Sequence, residues 1–284
     1  MTMKELKKRA IEKSPLCVGI DLRENQIPLA ISNGTFEVEE HFVAYAKAIV
    51  DNTKEYAACY KVQIACYEAY GLAGLRAYAR ILNYIRSQGE IVIADIKRGD
   101  IGSTAEMYAQ GHFTGDFEAD IVTLNAYMGK DTVSPYFPYF KQGKGAFILG
   151  KTSNPGSKDF QDLKVNQTEQ TLSQNVLDTI YQWGKECDTG SELPCMGAVV
   201  GVNNIADIHA MKPYTDKLFL LVPGYGAQGA KIEDIRTLIA DRQNGVVNVS
   251  RGMTAGIVEE KEFEQELRRR AQQFAKELLQ CINK

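Results

Sequence analysis

Short apolar runs recur along the chain and alternate with segments that have helical periodicity. Between positions 38 and 57, for instance, apolar residues recur at helical spacing, as Phe42, Ala46, Ile49 and Val50 show. The apolar runs are short and continuous, which is typical of strands buried on both faces of a parallel sheet. The pattern predicts strands at Leu16–Leu22, Ala58–Gln63, Ile91–Lys97, Asp120–Asn125, Gly145–Lys151, Met196–Gly201, Leu218–Gly224 and Gly245–Arg251.

Helical segments are predicted on either side of these strands. A short helix is expected at 105–109, capped by Ser103 or Thr104, and another at 131–140, interrupted by prolines. The alternation predicts an α/β fold, a single (β/α)8 TIM barrel over 1–284 with an extra N-terminal helix and a long loop after strand five. The longer helices are predicted at 3–13, 38–57, 68–87, 168–186, 205–211, 232–240 and 259–279.

Composition and charge agree with a globular domain that has a large hydrophobic core. The chain has 284 residues, of which 44% are hydrophobic, with 14 Tyr and 11 Phe, so it can fill a large core. Its net charge of −3 comes from 33 basic and 36 acidic residues without a long basic block. We therefore expect neither a nucleic-acid surface nor an anionic-membrane surface.

Cysteine and histidine usage predicts reduced thiols and no metal site. The six cysteines contain no Cys-x-x-Cys pair, and the three histidines are far apart. The N-terminal residues lack the apolar region of a signal peptide, and no apolar run approaches the about 18 residues of a membrane span. These features predict a soluble cytoplasmic protein.

Charged residues lie at the end of the third strand, where a barrel places its active site. Asp95 and Lys97 are two positions apart, so a regular strand points both side chains to one face. The simpler interpretation is a structural ion pair between Asp95 and Lys97 at the end of the strand. The second carboxylate at Asp100, the glycine before it and the expected helix start favour an active site instead. Lys61 lies inside an apolar stretch of strand two and, if buried, needs a partner.

Two loops near the end of the chain suit a phosphate group. Pro223–Gly229 is a glycine-rich turn after strand seven, and Ser250–Gly252 follows strand eight. Loops after these strands form the usual phosphate site of this fold, because glycines let backbone N–H groups approach an anion. Arg251 supplies a forked cationic donor. Ordinary turn glycines and a surface arginine are the alternative.

The charges themselves indicate a type of chemistry. An alternating array of Lys61, Asp95, Lys97 and Asp100 would hold each lysine protonated and each aspartate ionised. A protonated lysine does not readily form a Schiff base, but it can protonate a carbanion. A carboxylate beside an anionic substrate group raises that group's energy unless the group leaves. Together these properties suit loss of CO2 followed by protonation.

Three motifs carry a resemblance to a known family. Asp95–Thr104 matches the signature Asp-x-Lys-x-x-Asp-Ile, and Thr152–Gly156 and Val222–Gly229 match motifs of its longer bacterial form. From Val18 to Gly252 the chain therefore resembles orotidine 5'-phosphate decarboxylase. The resemblance implies conversion of orotidine 5'-phosphate to uridine 5'-phosphate in de novo pyrimidine biosynthesis, without a metal or an organic cofactor.

The resemblance also implies roles for individual residues. Lys97 would protonate C6 of the pyrimidine, Asp95 would lie against the substrate carboxylate, and Lys61 would bridge the aspartates and a ribose hydroxyl. Asp100, Ile101 and Thr104 would reach into the neighbouring subunit's site, so the active unit would be a homodimer. The other substrate contacts would be Asp21 to the ribose, Ser153 to the pyrimidine edge, and Gln228 and Arg251 to the phosphate, with Pro223 and Gly229 in the same loop.

Other functions stay open at this point. A magnesium-dependent sugar-phosphate decarboxylase or aldolase of the same superfamily shares the Asp-x-Lys-x-x-Asp strand, but it has an acidic ligand after strand two. Here Lys61 is followed by Val62–Ala65, and Glu68 comes later. A non-catalytic nucleotide binder and a Schiff-base aldolase that uses Lys97 are further alternatives. The resemblance assigns no role to Asn125 or Lys151.

Overall fold

The structure is a computed structural model. It describes residues 2–23, 27, 28, 31, 37–165, 169–187, 193–201, 205–225, 231–241, 243–257 and 260–282. Gln228 and Gly229, two of the predicted substrate contacts, lie outside the described residues.

Eight parallel strands close into a barrel in chain order. Each strand pairs with the next one, and β8 returns to pair with β1. The predicted (β/α)8 barrel is therefore confirmed, with the fifth strand bounded as the apolar pattern indicates. The strands are β1 Leu16–Ile20, β2 Cys59–Gln63, β3 Val92–Arg98, β4 Ile121–Leu124, β5 Gly145–Lys151, β6 Met196–Val200, β7 Leu220–Pro223 and β8 Gly245–Val249.

Helices separate the strands and surround the barrel. The first precedes β1, as predicted, and a long loop follows β5. The helix predicted at 68–87 forms as Gly71–Ser87, and a separate short helix, Ala65–Glu68, precedes it. The predicted cap of the helix after β3 is wrong, because this helix, Gly102–Phe113, begins at Gly102 and its N-cap residue is Ile101. The helices are α1 Thr2–Glu12, α2 Val38–Thr53, α3 Ala65–Glu68, α4 Gly71–Ser87, α5 Gly102–Phe113, α6 Phe137–Lys141, α7 Leu172–Glu186, α8 Ile205–Thr215, α9 Ile232–Ile239, α10 Arg251–Thr254 and α11 Glu260–Ile282.

Apolar side chains fill the amino-terminal end of the barrel. Met3 and Leu6 of α1 belong to the same buried cluster as Phe147 of β5 and Phe219, which directly precedes β7. The two phenyl rings have centroids 6.3 Å apart. Gly197 makes room for them, since a Cβ there would lie 2.8 Å from the Phe147 ring. The polar side chains of the barrel are thereby left to the carboxyl ends of the strands, where active sites form in this fold.

The described residues contain no membrane-spanning helix, no disulfide and no group of metal ligands. None of their helices combines the length and the apolar character needed to cross a membrane. The six cysteines are free thiols, and all except Cys66 are buried. In the same part of the chain, no three His, Cys, Asp or Glu side chains are grouped as metal ligands would be.

Candidate active site

Four charged side chains meet at the carboxyl ends of β1, β2 and β3. Lys61 donates hydrogen bonds to Oδ1 of Asp21 at 3.0 Å and to Oδ2 of Asp95 at 3.1 Å. Lys97 donates to the other oxygen of Asp95 at 2.6 Å. The register explains the contacts, because Lys61 on β2 lies beside Gly19 on β1 and Ile93 on β3. Asp21, Lys61, Asp95 and Lys97, here called the charged cluster, thus alternate in sign.

Asp95 is the buried centre of this cluster. Besides the two lysines, Thr123 donates to it at 2.8 Å and Gln63 at 3.0 Å. Burial raises the pKa of Asp95, but the charges of Lys61 and Lys97, with hydrogen bonds from Lys97 and Thr123, outweigh this and lower the pKa to about 2. The carboxylate is therefore ionised at neutral pH.

Lys61 is buried as well, with 6% of its surface exposed. Burial lowers the pKa of Lys61, yet the charges of Asp21 and Asp95 raise it above the ordinary lysine value. A buried ammonium needs such partners, since an unpaired buried charge costs several kcal/mol. The side chain thus serves as a fixed positive charge between two carboxylates.

Lys97 leaves the regular strand geometry. Its φ of +46° lies in the left-handed region, and the register between β3 and β4 shifts between Ala94 and Arg98. The amides of Ile96 and Lys97 both donate to Oγ1 of Thr123, at 2.9 and 3.0 Å. One threonine hydroxyl therefore stabilises this backbone irregularity and also hydrogen-bonds Asp95. The Lys97 side chain stays 46% exposed at the barrel mouth.

A second set of hydrogen bonds extends the cluster to β8. Ser250 donates to Oδ2 of Asp21 at 2.7 Å, and Asn248 donates to Ser250 at 3.1 Å. Gly19 permits this arrangement, because a Cβ there would lie 1.9 Å from the Ser250 hydroxyl oxygen. Hydrogen bonds consequently link Asn248 on β8 to Lys97 on β3.

Two cavities adjoin the charged cluster and share Lys61, Asp95, Pro223 and Asn248. The first, here called the β8 cavity, has a volume of about 280 Å³, and the second, the β5 cavity, about 410 Å³. The β8 cavity is also lined by Asp21, Arg23, Tyr225, Ser250 and Arg251. The β5 cavity is also lined by Lys97, Thr123, Thr152, Ser153 and Asn154, and by the apolar Leu149, Val199 and Leu221.

The structure brings most of the predicted site residues together. Asp21, Lys61, Asp95 and Lys97 form the cluster, while Ser153, Pro223 and Arg251 line the two cavities. Three predicted residues lie apart. Asp100 accepts a hydrogen bond from the amide of Ile101 at 2.8 Å and makes no ion pair within the described residues. The side chains of Ile101 and Thr104 are exposed beside it. One chain therefore does not place Asp100 in the array with Asp95 and Lys97.

The apolar pattern missed several polar groups of the site. Thr123 and Asn248 are 1% and 8% exposed inside strands that otherwise carry apolar residues. Gln63 ends β2, and Ser250 follows β8. A polar residue within a buried strand is the signal that could have identified the first two, since buried polar groups need hydrogen-bond partners. The sequence does not specify that their partners are Asp95 and Ser250.

Residues 14–268 match the model described as "Orotidine 5'-phosphate decarboxylase / HUMPS family". The Clostridium tetani protein named orotidine 5'-phosphate decarboxylase is 40% identical over 290 residues, which cover 100% of this chain and 99% of that protein. A Clostridium botulinum protein of the same name is 44% identical over 254 residues, 89% of each chain.

Solved structures give a matching picture. The structure of Leishmania donovani OMP decarboxylase superposes with a TM-score of 0.79 at 28% identity, covering 99% of each chain. The Leishmania donovani UMP synthase structure has a TM-score of 0.79 at 30% identity, and the match covers 98% of this chain and 55% of that one. A Plasmodium berghei structure at 21% identity has a TM-score of 0.81 and supports the fold.

Proposed function

The chain belongs to the orotidine 5'-phosphate decarboxylase / HUMPS family, and we propose that its charged cluster is where it decarboxylates orotidine 5'-phosphate to uridine 5'-phosphate in pyrimidine biosynthesis. The chain is thus a carboxy-lyase. The observation that carries the proposed mechanism is the contact between Lys97 and Asp95, 2.6 Å apart at the wall of the β5 cavity. This contact places a proton donor and a negative charge side by side.

The two cavities suit the parts of the substrate. We assign the pyrimidine ring to the β5 cavity, where Leu149, Val199 and Leu221 offer apolar contacts and Ser153 a polar edge. The ribose would contact Asp21 and Lys61 at the boundary shared with the β8 cavity. A nucleotide can extend through both cavities, because they share four lining residues.

The phosphate is assigned to the β8 cavity. Arg251 lines it together with Pro223 and Tyr225. A guanidinium forms charge-assisted hydrogen bonds with phosphate oxygens, and loops after the last two strands are the usual phosphate site of this fold. Gln228 and Gly229 belong to the glycine-rich loop that follows Tyr225, and we assign them to the same phosphate.

The proposed reaction replaces the carboxylate on C6 by a proton. The bond between C6 and the carboxylate breaks, CO2 leaves, and the electron pair of the bond stays on C6. Lys97 donates its proton to C6 and later regains one from solvent. Asp95 stays ionised and repels the substrate carboxylate, a repulsion that ends when CO2 departs.

The electrostatic work is shared across the site. Enzymes lower activation barriers by about 8–23 kcal/mol, and a single ion pair does not supply that much. The charged cluster is held in place before substrate binds by Thr123, Gln63 and Ser250. Fixed charges cost no reorganisation during the reaction, so preorganisation is the main proposed source of catalysis. Binding of the distant phosphate helps to orient the ring over the cluster.

A homodimer would complete the site. Asp100, Ile101 and Thr104 lie outside the charged cluster of their own chain, at the start of α5. Large apolar side chains are exposed nearby in the chain, with Met107 61%, Tyr127 83% and Met128 46% exposed. Exposed apolar surface is a mark of protein–protein contact. We assign this surface to a second copy, into whose site Asp100 would reach, and we place the dimer in the cytoplasm.

The test starts from protein dialysed against a chelator. Orotidine 5'-phosphate is added and its conversion to uridine 5'-phosphate is followed by ultraviolet absorbance. We expect turnover without added metal. No change from folded, dimeric protein would contradict the proposal, and activity with Mg²⁺ and a sugar phosphate would favour the magnesium-dependent alternative. The magnesium-dependent alternative needs an acidic ligand after strand two. Glu68, the acidic residue that follows this strand, does not support it, since it forms an ion pair with Arg98 at 3.2 Å.

A further inference from the structure

Lys151, to which the sequence assigned no role, is a buried cation at the end of β5. Its side chain is 3% exposed and forms an ion pair with Asp162, whose side chain is 42% exposed. Asp162 lies in the loop after β5. Because a buried ammonium without a counter-ion is costly, this pair holds Asp162 against the end of the strand.

A second pair of contacts joins the same two places. The side chain of Gln161 accepts a hydrogen bond from the amide of Thr152 at 2.9 Å and donates one to the Thr152 hydroxyl at 2.8 Å. The chain thus leaves β5 at Lys151, and Gln161 and Asp162 lie back against the end of the strand, so both ends of the excursion are held in place. The excursion, residues 152–162, is here called the β5 loop.

Ser153 lies within the β5 loop and is partly buried. The amide of Gly201 donates to the carbonyl of Lys151 at 2.7 Å. A Cβ added to Gly201 would lie 2.7 Å from the amide nitrogen of Ser153 and 2.8 Å from its Cβ. Ser153 is therefore pressed against the backbone at the end of β6, while it also lines the β5 cavity. A shift at Lys151 or Thr152 is transmitted to Ser153 because Ser153 follows these two residues directly and packs against Gly201.

We propose that Lys151 and Asp162 are positioning residues that set the place of Ser153 at the edge of the β5 cavity. The inference rests on the proposed function, in which Ser153 contacts the pyrimidine. Neither Lys151 nor Asp162 lines the cavity itself, so any effect on turnover passes through the β5 loop. The pair thereby links the folding of the β5 loop to recognition of the pyrimidine ring.

A double-mutant cycle tests this inference on the full-length protein. Ser153→Ala, Asp162→Asn and the combined variant are assayed for kcat/KM with orotidine 5'-phosphate. Asp162→Asn keeps the shape of the side chain and removes its charge. We expect each single substitution to lower kcat/KM by about 10-fold, and Asp162→Asn to change it less than about 2-fold once Ser153 is already alanine. Asp162→Glu keeps the carboxylate, and we expect it to restore most of the loss.

The β5 region also offers a matched control. Lys164 and Glu169 form an ion pair further along the same connection, with side chains 58% and 90% exposed. Glu169→Gln removes a charge there, and it should leave both kcat/KM and the melting temperature unchanged because exposed pairs contribute little. Melting temperatures of all variants confirm that the assays compare folded protein.

Two results would overturn the inference while the proposed function stands. One is an Asp162→Asn variant with wild-type kcat/KM beside an impaired Ser153→Ala variant. The other is a pair of losses that multiply in the combined variant, which would show that Asp162 acts independently of Ser153. An unmodified protein that does not decarboxylate orotidine 5'-phosphate would instead overturn the proposed function. The two failures are therefore distinguishable.

Discussion

The Lys97 ammonium lies 2.6 Å from Oδ1 of Asp95 although the backbone leaves the regular strand between them. Lys97 has a φ of +46°, a conformation that costs a non-glycine residue about 1–2 kcal/mol. The two amides at this point share one acceptor, the hydroxyl of Thr123. The proposed proton donor thus depends on a neighbouring strand for its position, which makes Thr123 a direct test of the account.

Thr123→Val should damage both stability and turnover. The substitution keeps the shape of the side chain, but it removes a donor to Asp95 and the acceptor for the amides of Ile96 and Lys97. Unsatisfied buried groups cost about 1–3 kcal/mol each, so we expect the free energy of unfolding to fall by about 2–4 kcal/mol. Urea denaturation measures the loss of stability, and kcat measures the displacement of Lys97. Thr123→Ser, which keeps the hydroxyl, is the control, and a normal kcat in the valine variant would contradict the proposed role.

Because of Asp95, the free energy of unfolding should decrease as the pH falls through the acid range. The pKa of Asp95 is lowered from 3.8 to about 2 in the folded protein, so its contribution is present above pH 3.8 and is lost as the pH falls toward 2. From pH 5 to pH 3 the loss should be about 1 kcal/mol. Asp95→Asn has no such titration. Its free energy of unfolding should therefore lie below that of the wild type at pH 5, with a smaller difference at pH 3. Parallel stability curves for the two proteins would be inconsistent with an ionised Asp95 stabilised by its lysines.

Arg251→Ala should weaken recognition of the substrate phosphate. A charge-assisted hydrogen bond contributes about 1.5–3 kcal/mol, so the KM for orotidine 5'-phosphate should rise by about 10- to 100-fold. Orotidine, which lacks the phosphate, serves as the control substrate, because its kcat/KM should be nearly the same with either protein. An unchanged KM for the phosphorylated substrate would remove Arg251 from the phosphate site.

Mixing two inactive variants tests the proposal that two chains share each active site. Lys97→Ala and Asp100→Ala should each be inactive as homodimers. In a heterodimer, one site carries both substitutions and the other carries neither, if Asp100 acts across the interface. Random exchange of subunits at equal concentrations should then restore about a quarter of wild-type activity. If a mixture shown to contain heterodimers recovers no activity, Asp100 does not act in the partner's site.

The architecture was the part most readily predicted from the sequence. Buried parallel strands are continuous apolar runs, and β5 begins at Gly145 and ends at Lys151 as expected. Charged residues at strand ends marked Asp21, Lys61, Asp95 and Lys97, because hydrophobic strands rarely hold charges without a use. The strand pairing then determined that these four meet.

Contacts between distant elements were not predictable in this way. The left-handed backbone of Lys97 depends on the hydroxyl of Thr123 in another strand. The pairing of Lys151 with Asp162 depends on how the β5 loop closes. The cap of α5 was predicted wrongly, since the helix begins earlier than expected and Ser103 and Thr104 lie inside it. The proposed role of Asp100 requires a second chain, which an apolar pattern cannot specify.

The central claim, that Lys97 protonates C6, is tested most directly by Lys97→Ala. The variant lacks the proton donor but keeps both cavities, so it should bind uridine 5'-phosphate while kcat for orotidine 5'-phosphate falls by at least about 10³-fold. Titration calorimetry measures the binding, and ultraviolet absorbance measures the turnover. Lys130→Ala, which removes an exposed lysine paired with Glu186, is the matched control and should be fully active. Binding without turnover in Lys97→Ala is the predicted result, and near-normal decarboxylation by this variant would contradict the account.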